Sequence, residues 1–125
     1  MTPIEAAGGP PQPESSFHFD MEAEIAKAED HKPWKNGLRT TVLVKTADLR
    51  VMMIAMEPEA KLEEHHSEGS ITVHVLCGSI RMHVQGNWLT LEAGQLLSVQ
   101  PRIPHDVEAL EESVFLLTMA FHAKT

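Results

Sequence analysis

The sequence predicts an all-β fold, a sandwich or barrel, preceded by a short N-terminal helix. From Leu38 onward, eight or nine short runs rich in Val, Ile, Leu, Thr and Met recur at about ten-residue spacing. Ile71-Thr72-Val73-His74-Val75 alternates apolar and polar residues, the pattern of a half-buried strand. Gly86-Asn87 is a two-residue step of the kind that closes a tight hairpin, and it puts Leu89 and Leu91 on the face of Met82 and Val84.

The elements follow in chain order. Residues 1–16 hold half of the 8 prolines together with Gly8 and Gly9, a composition that cannot bury enough apolar surface to order itself, and they predict a flexible tail. Residues 17–37 form an N-terminal helix and arm. Asp20 is placed to cap a helix over residues 21–29, Pro33 bars its continuation, and Phe17, Phe19 and Trp34 are expected to pin this short segment to the main domain. Residues 38–125 form a single β domain. Its first two strands are Leu38 to Val44 and Leu49 to Met56, joined by the polar turn Lys45-Thr46-Ala47-Asp48. After Ile71 to Val75, Cys77-Gly78 breaks the pattern before Ile80, Met82 and Val84 alternate with polar residues. Ala93-Gly94, Gln100-Pro101 and Glu111-Glu112-Ser113 punctuate three further runs, Leu96 to Val99, His105 to Leu110 and Val114 to Phe121.

Composition narrows the function. The 125 residues carry 10 Lys+Arg against 18 Asp+Glu, a formal net charge of −8, so there is no electrostatic footprint for phosphate backbones and no nucleic-acid partner is expected. The longest apolar run, residues 51–56, is far short of the roughly 20 residues that span a bilayer, so no membrane partner is expected either. The single cysteine, Cys77, can form no internal disulfide, and no secretory signal is evident at the N-terminus, which together predict a cytoplasmic protein. Cys77 has no neighbouring base and reads as a buried structural thiol.

The densest cluster of chemistry is Glu63-Glu64-His65-His66-Ser67-Glu68, between the apolar run at 51–56 and the strand at Ile71. Imidazole and carboxylate together suit Fe, Mn, Ni, Cu or Zn, although the same residues would serve equally as a solvated loop. His105 follows Pro101 and Pro104, which restrict the backbone and fix its position, as a ligand or as a half-buried histidine bonded to the backbone. By strand alternation His74 and His83 point outward, and His18, His31 and His122 lie outside the strand core.

From about Leu62 to Phe121 the chain resembles the cupin superfamily, the small single-domain barrels of the RmlC-like jelly-roll kind. The first motif of that family, two histidines, a glutamate and a glycine, is matched by Glu64-His65-His66 through Val75-Leu76-Cys77-Gly78. The second, a glycine, a proline turn and a histidine, is matched by Gly94, Pro101, Pro104 and His105. The resemblance implies a double-stranded β-helix (jelly-roll) barrel with a divalent transition metal at its mouth, held through His65, His66 and His105, with dioxygenase-like chemistry. Glu64 and Glu68 are the candidate catalytic carboxylates, and Met53, Ile71, Val73 and Met82 the lining of a pocket for a small-molecule ligand. It also implies a homodimer. The departures are specific: counting back from Gly78, the glutamate slot falls on Ile71, and the histidine slots on Glu64 and His66 or on His65 and Ser67. Arg102 stands where the family often has glycine. A metal-free small-molecule binding or sensing cupin, without catalysis, is the alternative that accounts for Ile71 directly. The absence of tyrosine removes the acid that cupin sugar epimerases pair with histidine.

Overall fold

The computed structural model describes residues 15–121, apart from the side chain of His65. Two antiparallel sheets face each other. One has the order β1-β2-β9-β4-β7, formed by β1 (Leu38–Lys45), β2 (Leu49–Met56), β9 (Ser113–Ala120), β4 (Ile71–Cys77) and β7 (Leu96–Val99). The other has the order β3-β8-β5-β6, formed by β3 (Lys61–His65), β8 (His105–Ala109), β5 (Ser79–Val84) and β6 (Asn87–Glu92). This is the jelly-roll sandwich expected of the sequence. The tail at 1–16 lies, except for Ser15 and Ser16, outside the described residues, as does His122. Among the described residues no helix is long and apolar enough to cross a membrane.

The inner faces of the two sheets make the core. Ile71, Val73 and Val75 of β4 meet Ile80 and Met82 of β5, Val107 and Ala109 of β8, and Phe115 and Leu117 of β9. The alternation that predicted β4 is the alternation observed, with Thr72 and His74 turned to the opposite face. Leu89 and Leu91 share the face of Met82, as expected, but the turn lies one residue earlier than Gly86-Asn87, so the register pairs Met82 with Leu89 and Ile80 with Leu91. Gln85 (φ 49°) and Gly86 (φ 81°) occupy it, and Asn87 already pairs with Val84. Positive φ at both central residues gives the twist that two-residue hairpins need.

The helix α1 (Met21–Glu29) begins where Asp20 predicted it: the Asp20 carboxylate accepts from the Glu22 and Ala23 amides at 3.0 and 3.4 Å. Asp20→Ala is expected to cost about 1 kcal/mol, read as a lower urea midpoint at unchanged slope. The helix covers an outer sheet face: Ala28 and Trp34 pack on Met53, Ala55 and Val114. Trp34, only 6% exposed, donates its indole N–H to the Ala28 carbonyl at 2.8 Å and thereby satisfies the helix end. Phe17 is exposed and takes no part in this pinning. A second tie joins Lys32 to Glu112 and, at 3.2 Å, to Glu29. The Glu112 carboxylate holds the Lys32 ammonium above its usual range, and Lys32 holds Glu112 below the carboxylate range. The pair therefore acts fully between the two ordinary ranges. It is lost as pH falls through the lowered Glu112 value and again as pH rises through the raised Lys32 value. Both groups remain partly in water, so the contribution is small.

Candidate functional site

The site expected at the barrel mouth is built by the start of β8 and the end of β3. Pro101 and Arg102 turn the chain into β8, and Arg102 has φ 65°, which explains why a position of this kind favours glycine. The Arg102 amide donates to the Ser67 carbonyl at 2.7 Å, tying the β7–β8 loop to the β3–β4 loop across the mouth. His105 then enters the sheet only 3% exposed, its Nδ1 2.9 Å from the Ile103 carbonyl. A carbonyl only accepts, so Nδ1 carries the proton and, in the neutral ring, Nε2 is the acceptor.

Sequence reasoning missed β3, whose five residues Lys-Leu-Glu-Glu-His read as a solvated rim. It is an edge strand pairing only with β8, where charged side chains are the rule. A bulge between Leu62 and His65 changes the register: Leu62 lies across from Val107, and His65 across from His105. Of the two neighbouring histidines, His65 therefore holds the register position opposite His105. Its side chain lies outside the described ones. His66 is exposed, 3.9 Å from the equally exposed Glu68, and Glu64 is exposed as well. Neither candidate carboxylate reaches the interior. Ser67, by contrast, is buried, and its hydroxyl accepts from the Gly69 amide at 3.3 Å.

Inside the mouth His105 lines a cavity of about 10 Å³ with Leu62, Ile71, Val73, Met82 and Val107. That is room for about one water. Three of the four expected lining residues, Ile71, Val73 and Met82, are there. Met53 is not: it sits on the other face of β2, under α1 and Trp34. Val51 to Met56 is apolar without alternation because Ile54 and Met56 face the core while Met53 and Ala55 face the helix, so no period-2 signal told the two faces apart.

The donor set does not fit the four-ligand metal site that the resemblance implies. Ile71, 2% exposed, fills the carboxylate slot, and the register of β3 puts buried Ser67 in a histidine slot. Among the described side chains no group of three His, Cys, Asp or Glu is placed to hold a metal ion. Cys77 is exposed rather than buried at the end of β4, and partial burial of its thiol pushes its pKa up, away from nucleophilic reactivity. His31 lies beyond the end of α1, its Nδ1 2.7 Å from the Lys27 carbonyl.

A second constellation, on the outer face of the β3-β8-β5-β6 sheet, was only partly legible. His83 and Arg81 point outward as expected, and the hairpin register sets Trp88 directly opposite His83. The two rings stack with centroids 4.6 Å apart, and the Arg81 guanidinium lies 4.3 Å from the Trp88 ring centroid. Arg81 is itself held by Glu108 at 2.8 Å. The signal that could have found this group is the pairing across the Gln85-Gly86 turn, once the turn is correctly placed.

The family model of the cupin domain matches residues 52–121. No curated protein matches the chain. Among solved structures, a conserved protein of unknown function from Streptococcus pyogenes is 21% identical over 73% of this chain and 80% of its own, with a TM-score of 0.68. A cupin superfamily protein from Desulfitobacterium hafniense is 13% identical over 76% of this chain and 87% of its own, with a TM-score of 0.70. KdgF from a Halomonas species is 18% identical over 77% of this chain and 91% of its own, with a TM-score of 0.65. At these identities the likeness is one of fold.

Proposed function

The chain belongs to the cupin family, and from that premise we propose that it is a metal-free small-molecule-binding cupin whose recognition group is His105. The single observation that carries this reading is the lining of the interior: Ile71 beside His105, where the family's carboxylate would stand, in a cavity otherwise walled by aliphatic, Met and Phe side chains. One hydrogen-bonding group in an apolar setting selects a ligand with one polar end and an apolar body. His105, its Nδ1 2.9 Å from the Ile103 carbonyl, is the polar group of this lining, and a hydroxyl is the kind of polar end it would recognise. The water-sized cavity admits that one polar atom, and the body of the ligand lies at the mouth between the β3–β4 and β7–β8 loops. The competing reading is a metal-assisted, dioxygenase-like reaction with Fe, Mn, Ni, Cu or Zn, and the register of His65 opposite His105 is what favours it.

One experiment separates the two. Tag-free protein is loaded with each of the five metals, desalted and assayed for metal by mass spectrometry, and in parallel titrated with phenol while the His105 ring nitrogens are followed by NMR. The expected result is metal well below one equivalent and a saturable phenol-dependent shift that His105→Ala abolishes. That variant orphans the Ile103 carbonyl and is expected to lose about 1–3 kcal/mol of stability while remaining folded. One equivalent of metal that disappears in His105→Ala, or no saturable shift, overturns the reading.

A further inference from the structure

We propose that the outer face of the β3-β8-β5-β6 sheet carries a second binding site, a cleft that seats a neutral, polyhydroxylated ring of about hexose size on the indole of Trp88. The cleft has a volume of about 300 Å³, and its polar lining is Lys61, Glu63, Arg81, Asp106 and Glu108 beside Trp88. Ligand pockets begin at about that size.

The indole is both exposed and fixed. Trp88 is 52% exposed, a large apolar surface to leave in water. Yet it is flanked by two neighbours from β5, the stacked His83 ring, inclined by 20°, and the Arg81 guanidinium. Each of those faces a residue of β8, and Arg81 is held by one. Glu108 accepts from the Arg81 Nε at 2.9 Å, and Asp106 lies 3.9 Å from the His83 Nδ1. Three adjacent strands thus supply a layered platform, with the indole from β6, Arg81 and His83 from β5 and the carboxylates from β8. Such a platform loses little freedom when a ligand settles on it.

The charges choose the ligand class. Three carboxylates against Lys61 and Arg81 oppose an anion. A cationic ligand would meet the like charges of Arg81 and Lys61 beside the ring. A neutral ring with a flat C–H face and hydroxyls at its rim matches what remains: apolar contact with the indole, carboxylates that accept from hydroxyls, and the Lys61 ammonium that donates to them. The cleft and the interior cavity lie on opposite faces of β3 and β8, sharing Leu62 and Val107 as the wall between them.

The test uses the full chain. Methyl α-glucopyranoside, methyl α-galactopyranoside and methyl α-mannopyranoside are titrated separately while backbone amides are followed by 1H–15N NMR. At least one is expected to give saturable shifts confined to β5, β6 and β8, unchanged by His105→Ala and weakened at least tenfold by Trp88→Ala and by Asp106→Asn. Where Trp88→Ala does not fold, Trp88→Leu carries the same reading. No saturable shift with any of the three, or shifts that survive loss of the indole, overturns the proposal. So do shifts of the same amides on raising protein concentration without sugar, which would assign the face to a second copy of the chain.

Discussion

Gly69→Ala is expected to destabilise the barrel by at least about 3 kcal/mol, at the upper end of what overpacking costs. A Cβ built on Gly69 falls 1.6 Å from the Ala120 carbonyl oxygen and 2.8 Å from its carbon. Both obstacles are backbone, so no rotamer change relieves them. The segment they belong to is held on two sides. The Ala120 amide bonds the Ser70 carbonyl at 3.0 Å, and the next amide, that of Phe121, bonds the Asp48 carbonyl at 2.9 Å. Moving β9 aside breaks these ties, and moving the β3–β4 loop displaces Ser67, which anchors the loop carrying Arg102 and His105. The expected fall in melting temperature is about 10–20 °C. Gly86→Ala is the control: nothing lies within 4 Å of its Cβ, and only the positive φ of 81° is unfavourable. It should cost about 1 kcal/mol. Equal losses in the two variants, measured by urea unfolding, would show that the close approach at Gly69 is not what constrains the mouth.

The contrast between these two glycines also marks what the sequence can and cannot disclose. Gly86 stands in a turn, where local chemistry explains it, and the hairpin was legible to within one residue. Gly69 is set by a strand some fifty residues away, and no local pattern encodes that approach. The same division runs through the fold. The β4 strand and α1 were legible because one has a clean two-residue period over a single buried face and the other a capping aspartate followed by helix formers. The β3 strand was not, because an edge strand with one inward leucine and a bulge has neither period nor composition to mark it. The two faces of β2 were confounded because both are buried, which put Met53 in the wrong layer. At the site, His105, Ile71, Val73 and Met82 could be placed from motif spacing and alternation. The choice between His65 and His66 could not, since it turns on the bulge. The Trp88 platform depends on pairing across a turn, which no single run of residues contains.

Ile71→Glu should convert the interior most completely, and the expected result has two parts. Without added metal the variant loses about 3–5 kcal/mol, the cost of an uncompensated charge in a buried position. Ile71 is 2% exposed, and its surroundings in the cavity are Leu62, Val73, Met82, Val107, Phe115 and Leu117, none of which solvates a carboxylate. Among the described side chains of the cavity, only His105 offers partial relief. Burial pushes the new carboxyl above the ordinary carboxylate range, so the folded state binds the proton more tightly than the unfolded one. Stability of the variant, relative to the parent, therefore falls as pH rises from the ordinary carboxylate range up to the raised value, and is level beyond it. With Ni²⁺ or Zn²⁺ added, the variant should regain melting temperature while the parent shows no such gain, because the new carboxylate supplies an oxygen donor beside His105 where the parent has only an aliphatic side chain. Ile71→Gln separates charge from size: it should lose stability with no pH dependence and recover little with metal. If Ile71→Glu is unaffected by pH, its carboxyl is reaching water and the interior is more open than a cavity of about 10 Å³ allows. If the parent itself gains melting temperature with either ion, Ile71 is not the residue that keeps metal out, and the binding reading of His105 gives way to a metal site.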